Sequence, residues 1–188
     1  RLALYTANKT NAVEAVNELY NKSDNDKSLL QTEISEQNNS LIMLIQMLAN
    51  TGLNIVPLLE MMGNTITVIH DTETTSYQYS DSNNPDNPLK GIVYAPNLET
   101  VATRSIDDNS GMTAIIMPKV RVISNQAFWA SHNLKTVFIP NGCTSLAANA
   151  FSVCGNLTNI YIDNVEETFE DIVTGSNLPN VNVTYLRK

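Results

Sequence analysis

The chain has 188 residues, of which 43% are hydrophobic and 16% are charged, enough for one core of modest size or for two small units. With 19 acidic and 11 basic side chains, its formal net charge is −8, so it would repel the phosphate backbone of a nucleic acid. No apolar run approaches the roughly 18 residues that a membrane-spanning helix needs. We therefore expect no nucleic-acid partner and no membrane insertion.

A heptad pattern runs through the first fifty residues. Residues 11–50 contain no Gly or Pro, and Asn11 and Glu14 have the spacing of an N-cap residue and its reciprocal partner. From Val13 onward, positions spaced by alternate threes and fours keep one heptad register, which is apolar at both ends and polar in its middle, at Ser23 and Lys27. The pattern predicts a parallel trimeric coiled coil over residues 1–50, firmest from residue 28 onward. Its predicted core consists of Val13, Val16, Leu30, Ile34, Gln37, Leu41, Leu44 and Leu48.

The alternative is an amphipathic helix that packs on its own domain. Two features favour a trimer instead. Ile42 and Ile45 widen the apolar stripe near its end, and wide stripes suit three helices better than two. Within the firm part of the pattern, Gln37 is the kind of lone polar layer that fixes register when identical helices meet.

The middle segment, residues 51–88, is predicted to be a connector. Gly52 ends the helix, and Pro57 cannot lie inside a helix that continues through it, beyond the first turn. The runs 65–70 and 74–79 are rich in β-branched and aromatic residues. Joined by three residues, they predict a β-hairpin.

The last hundred residues, 89–188, contain a repeat. Pro96, Pro118 and Pro140 are spaced by 22 residues, and each follows an alternating apolar run. A large apolar residue comes ten or eleven residues after each proline, and the second and third of these are Phe128 and Phe151. A period of 22 to 23 residues predicts a solenoid whose stacked coils share one core. The two phenylalanines are predicted to stack. The predicted core residues are Ile115, Ile123, Phe128, Leu134, Val137, Leu146, Phe151, Cys154, Leu157 and Ile160.

The repeat resembles a known family. The segments 134–140 (LKTVFIP) and 150–154 (AFSVC), with Leu146 between them and Leu157 after them, are similar to the BspA-like leucine-rich repeats of bacterial surface proteins. The similarity is strongest over residues 112–162. Elsewhere Ser131 stands in the place of Cys154, and Asp163 stands in the place of the proline. The resemblance implies a solenoid used for adhesion, and it implies that Cys154 is a core residue.

A second resemblance concerns the N-terminal segment. Residues 8–10 (NKT) and 13–19 (VEAVNEL) resemble the short segment that begins the trimerisation region of bacteriophage tail and head fibres. A coiled coil that leads to a small β-rich head is the usual architecture of such fibres. Together, the patterns predict an α+β fold: a parallel trimeric coiled coil, a β-hairpin region and a short leucine-rich-repeat-like solenoid head.

No catalytic, cofactor or metal site is predicted. His70 and His132 are isolated in sequence and lack a second ligand at metal spacing. The acidic run from Glu166 to Asp171 is typical of a solvated face. Cys143 and Cys154 are too few for a disulfide framework and are expected to be buried thiols.

The expected function is therefore binding, not catalysis. Trp129 follows the inward Phe128, so we expect its side chain to point outward, where it can stack on a sugar or anchor a protein contact. The alternative is that Trp129 covers the hinge or packs against the next subunit. Trp129 and Tyr94 are the predicted receptor contacts, with Tyr77 and Tyr79 as further candidates. The expected role is a homotrimeric virion fibre subunit that joins other virion proteins through its N-terminal end and binds a host surface glycan or protein. A bacterial cell-surface adhesin is one alternative, and a glycan depolymerase is the other.

Overall fold

A computed structural model describes residues 41, 44–45, 47–82, 86, 89–164, 175–178 and 180–186. The chain divides into two compact units, Arg1–Ile42 and Met43–Lys188, and every strand that the structure describes belongs to the second unit. Most of the predicted coiled coil, including Val13, Val16, Leu30, Ile34 and Gln37, lies outside the described residues. Within those residues, no helix is both long enough and apolar enough to cross a bilayer.

The second unit is mostly β-structure. Residues 47–50 are helical. The later elements, in chain order, are α1 (Val56–Met61), β1 (Ile66–Val68), β2 (Gly91–Tyr94), β3 (Thr100–Val101), β4 (Met112–Ile116), β5 (Val122–Ile123), β6 (Thr136–Ile139), β7 (Ser145–Leu146), β8 (Asn159–Ile162) and β9 (Asn182–Tyr185).

These strands form two parallel sheets. One has the order β1-β2-β4-β6-β8-β9, and the other has the order β3-β5-β7. In the larger sheet Val93 pairs with Ile115, Ile115 with Val137, and Val137 with Ile160. Residues 22 or 23 positions apart therefore lie one above another, so each repeat makes one coil. The result is a β-solenoid of about five turns, which confirms the predicted period.

The prolines explain why the longer strands end where they do. Pro96, Pro118 and Pro140 each follow a strand of the larger sheet within two residues. Proline lacks the N–H that the next ladder bond would need. The chain therefore leaves the sheet at the equivalent position of three successive coils.

One hydrophobic cluster fills the inside of the coils. Nine of the predicted core residues are at most 3% exposed within it, whereas Leu146 is only partly buried against it. Phe128 and Phe151 stack with ring centroids 5.2 Å apart and ring planes 13° apart, as the repeat predicts. Offset stacking of this kind adds to the free energy that burial of the rings already contributes.

The predicted hairpin is wrong. β1 pairs in parallel with β2, and Glu73 bridges in parallel to Thr100 of β3. Tyr79, which was expected in the second hairpin strand, belongs to the interior cluster. Residues 65–79 therefore form the first coil of the solenoid. Their composition favours extended structure, but it does not determine which strand each run pairs with.

The outer face of the larger sheet is buried too. Ile92, Tyr94, Ile116 and Phe138 alternate with interior residues, yet none is more than 5% exposed. A cavity of about 250 Å³ is lined by residues of this sheet together with Met47, so the segment 47–50 lies against the outer face. Four apolar residues of the preceding segments are at most 3% exposed and stand outside the interior cluster: Ile45, Ala49, Ile55 and Leu59.

Truncating one ring of the phenylalanine stack should weaken the whole solenoid. Phe128→Ala removes a fully buried ring and should cost about 3–5 kcal/mol of unfolding free energy. Urea unfolding followed by circular dichroism measures the change. Leu186→Ala, at a residue that is 37% exposed, should cost under about 1 kcal/mol. An equal loss in both variants would contradict the stacked core.

A second stability prediction concerns Val153, whose φ is +65°. A β-branched residue is strained in this left-handed region, and Val153 is 51% exposed, so little burial is lost on replacement. Val153→Asn should stabilise the fold by about 1 kcal/mol, because Asn tolerates this conformation. Val122→Asn, in the half-buried strand β5, should destabilise it. A lower urea midpoint for Val153→Asn would refute the strain argument.

Candidate binding surface

Three side chains from successive coils meet at one corner of the solenoid. Tyr77 N donates to Arg104 O over 2.9 Å, and Asp108 N donates to Trp129 O over 2.6 Å. These bonds place Tyr77, Arg104 and Trp129 side by side on three coils. Tyr77 and Arg104 have φ values of +61° and +53°, and each stands two positions before an inward residue, Tyr79 or Ile106. We call the three residues the Trp129 row.

The Arg104 guanidinium contacts both aromatic rings of the Trp129 row. Its Cζ lies 4.3 Å from the ring centroid of Trp129 and 5.4 Å from that of Tyr77. Such cation–π contacts are favourable, and they orient the planar guanidinium. Tyr77 is 43% exposed and Trp129 is half-buried. The row therefore presents aromatic surface to solvent on side chains that are already ordered.

The buried Asp107 carboxylate holds the Arg104 side chain in place. Arg104 Nε donates to Asp107 Oδ2 over 2.7 Å, and the Asp107 side chain is only 1% exposed. This hydrogen bond raises the pKa of Arg104 above its usual value. The other carboxylate oxygen, Oδ1, is buried without a hydrogen-bond partner in the structure. The ion pair satisfies the Nε donor, so the terminal nitrogens of the guanidinium are the donors available to a ligand.

Two further carboxylates accept hydrogen bonds in the same coils, and Asp108 is joined to the row because its backbone N donates to Trp129 O. Asp108 accepts a hydrogen bond from the Ser82 hydroxyl. Asp81 accepts hydrogen bonds from the backbone N and the hydroxyl of Ser110, both over 2.8 Å. Aromatic faces, a guanidinium and carboxylate acceptors form a surface that can stack on a sugar ring while bonding its hydroxyl groups, or can anchor a protein loop.

The predicted contact at Tyr94 is wrong. Tyr94 ends β2 on the outer face of the larger sheet, where it is 5% exposed. Burial also raises its pKa. The sequence places Tyr94 on the face opposite the interior, but it does not reveal that another part of the protein covers that face. Tyr79 is likewise buried, at 8% exposure.

Arg104 was not predicted from the sequence. Its only signal is its position, because Arg104 stands two residues before Ile106, as Tyr77 stands two residues before Tyr79. The cavity on the outer face was also missed. Its lining includes Phe138 and Tyr161, whose rings stack 5.0 Å apart, together with Met47, Asn50, Ile139, Asp163 and Leu186.

The two histidines do not contribute to a metal-binding cluster among the described residues. His70 and His132 are both exposed. Within the part of the chain that the structure describes, no group of three His, Cys, Asp or Glu side chains is placed to hold a metal ion. The acidic run from Glu166 to Asp171 lies outside that part.

Cys154 connects its coil to the preceding one. Its thiol Sγ lies 3.0 Å from Phe128 O, and the Ser131 hydroxyl donates to Ile106 O over 2.9 Å one coil earlier. Both side chains are fully buried. Cysteine and serine thus exchange at this position because each can donate to the carbonyl of the preceding coil.

Parallel coils, a repeated apolar core and a hydrogen-bonded corner define a leucine-rich-repeat type of solenoid. Residues 80–186 match the BspA type leucine-rich repeat region in six copies. The chain therefore belongs to this family, as the resemblance predicts. The match extends beyond residues 112–162 in both directions. No curated protein and no solved structure matches the chain. Repeats of this type suggest a surface adhesin or a binding domain.

The two buried thiols give a pH-dependent prediction. Burial raises the pKa of Cys143 to about 11 and that of Cys154 to about 12, from a usual 9.0. The folded state favours the neutral thiol. The preference for the neutral thiols therefore contributes fully to the unfolding free energy below pH 9. This contribution is lost as the pH rises through the pKa values of the folded state.

At pH 10.5 the unfolding free energy should be lower than at pH 8, by roughly 1–2 kcal/mol for each thiol. The double variant Cys143→Ala/Cys154→Ser, in which the serine keeps a hydroxyl donor, should lose less between the two pH values. Urea titrations of both proteins make the comparison. Equal losses would show that other groups cause the alkaline sensitivity.

Proposed function

We propose that this chain is the subunit of a homotrimeric virion fibre and that its solenoid head binds a glycan or protein on the host surface. The proposal rests on the family, whose repeats suggest adhesion or binding, and on one observation at the surface. The Trp129 row holds an indole, a guanidinium and a phenol in contact on a rigid solenoid. Ordered aromatic and arginine side chains are the usual anchors of binding surfaces, because little side-chain entropy is lost on contact.

The trimer is supported by the apolar residues at the end of the heptad pattern. Leu44 is 52% exposed and Met47 is 55% exposed, whereas Ile45 and Ala49 are at most 3% exposed. The helical segment therefore buries one side and leaves the heptad position of Leu44 uncovered. Leu48, the next core position, is half-buried. Sister copies would cover these leucines, and such burial drives coiled-coil association.

Three heads on one stalk would strengthen weak binding by each head. When one head is bound, the others meet their receptors at a high effective concentration. A fibre needs this property, since single contacts to surface sugars are weak. The N-terminal end would join the fibre to other virion proteins, so the subunit would act at the virion surface.

A bacterial cell-surface adhesin is the second candidate, and the family favours it because its repeats are those of bacterial surface proteins. The two candidates share the same binding head. They differ in what the chain is joined to: an adhesin would be encoded with a secretion signal and a wall or membrane anchor, whereas a fibre subunit would assemble with virion proteins.

The binding surface can be tested with one substitution. Trp129→Ala should lower binding of the assembled protein to host cells or to an array of surface polysaccharides by about tenfold or more, because a central aromatic anchor contributes on the order of 2 kcal/mol. Lys119→Ala is the matched control. Its ammonium also bridges two coils, to Asn97 Oδ1 over 3.1 Å, but after β4 instead of beside the Trp129 row.

The solution mass of each variant should equal that of three chains, which keeps loss of binding separate from loss of assembly. Unchanged binding by Trp129→Ala would remove the Trp129 row from the proposal. A mass of one chain at high concentration would remove the trimer.

A further inference from the structure

One turn of the solenoid contains an extra residue. Paired residues are 22 positions apart between β4 and β6, but they are 23 positions apart between β5 and β7. The additional residue lies in the turn after β6, where residues 140–142 (Pro-Asn-Gly) connect the buried side chains of Ile139 and Cys143. In the preceding coil, residues 118–119 make the same connection with one residue fewer. The longer turn therefore departs from the regular repeat.

The two residues at the centre of this turn are exposed. Asn141 and Gly142 both face solvent, and a Cβ atom added at Gly142 would meet no atom within 4 Å. The turn is closed by Cys143 N, which donates to Pro140 O over 3.0 Å. Among the residues that the structure describes, neither the Asn141 side chain nor the Gly142 N–H takes part in a hydrogen bond. Both groups are therefore free to react with each other.

An asparagine that precedes a glycine can react with its own backbone. The backbone nitrogen of the glycine attacks the asparagine Cγ, so that an N–Cγ bond forms and the Cγ–Nδ2 bond breaks. The side-chain nitrogen leaves as ammonia and takes the proton of the backbone N–H. Water then opens the resulting succinimide ring at either carbonyl group, which gives aspartate or isoaspartate. Glycine favours ring closure because it lacks a Cβ atom and reaches unusual backbone conformations at little cost.

We propose that Asn141 is a site of spontaneous deamidation, at which Gly142 N closes on Asn141 Cγ and the turn accumulates aspartate and isoaspartate with time. Of the seven glycines in the chain, only Gly142 follows an asparagine. Each conversion replaces a neutral amide with a carboxylate. Isoaspartate also carries the main chain through its side chain, so a carbon atom is added to a turn that is already longer than its neighbours. This turn leads to Cys143, which is 1% exposed in the core, so isoaspartate should disturb the packing there.

Asn109 shows how the same fold protects another asparagine. It precedes Ser110, a small residue, but its side chain is completely buried. Asn109 Oδ1 accepts hydrogen bonds from Gly111 N over 3.2 Å and from Met112 N over 2.8 Å. Ser110 N, the nitrogen that would have to attack, donates to Asp81 Oδ2 over 2.8 Å. Since both reacting groups are held by other partners, Asn109 should remain an amide.

Peptide mapping of the full chain tests the proposal. The folded protein is incubated at mildly alkaline pH, where a backbone nitrogen loses its proton more readily, and is then digested. Chromatography with mass spectrometry separates the asparagine, aspartate and isoaspartate forms of each peptide. We expect Asn141 to convert at least about tenfold faster than Asn109. Equal rates at the two residues would overturn the proposal, as would an intact Asn141 in the folded chain when the chain unfolded in urea converts there.

Gly142→Ala is the matched variant. Gly142 does not have a positive φ, and the added methyl group meets no neighbouring atom, so the urea midpoint should stay the same. Deamidation of Asn141 should slow about tenfold, because alanine reaches the geometry of ring closure less easily. An unchanged rate would overturn the attack by Gly142 N.

A second variant separates the added charge from the added carbon atom. Asn141→Asp carries the carboxylate on a main chain of normal length. Protein that has accumulated isoaspartate should therefore have a lower urea midpoint than freshly prepared Asn141→Asp. Equal midpoints would contradict the effect of the lengthened turn on the core.

Discussion

The structure depends on the stacking of one coil on the next. Each strand of the larger sheet pairs in parallel with the strand one repeat away, and a single coil has neither partners for its backbone groups nor cover for its apolar side. The Phe128–Phe151 stack, with centroids 5.2 Å apart, joins two coils through their largest side chains. Neighbouring coils are therefore mutually required, and stability comes from the contacts between them.

The same stacking positions the candidate binding surface. Tyr77, Arg104 and Trp129 belong to three different coils and are up to 52 residues apart in sequence. They meet because backbone hydrogen bonds between coils hold their corners together. The buried Asp107 then orients the guanidinium through Nε. A surface of this kind is rigid because its supports are the hydrogen bonds that hold the solenoid together.

The sequence patterns predicted the repeated coils correctly. They failed for strand pairing and for contacts between different segments of the chain. The period of the prolines predicted the solenoid, since residues at equal positions stack in equal coils. The hairpin was wrong because the runs at 65–70 and 74–79 favour extended structure without specifying a partner. Tyr94 was wrong because alternation along β2 separates two faces but does not show that the outer one is covered. Trp129 could be placed from its neighbour Phe128, whereas Arg104 depends on contacts between coils.

The exchange of Ser131 and Cys154 at one corner has a consequence for how such heads vary in length. Both side chains donate a hydrogen bond to a backbone carbonyl of the preceding coil, and neither needs a particular residue farther away. A further unit of 22 or 23 residues inserted after either position would find the same neighbours that the present coils find. The reach of the head can therefore change by whole units through duplication, while the segments at its two ends remain as they are.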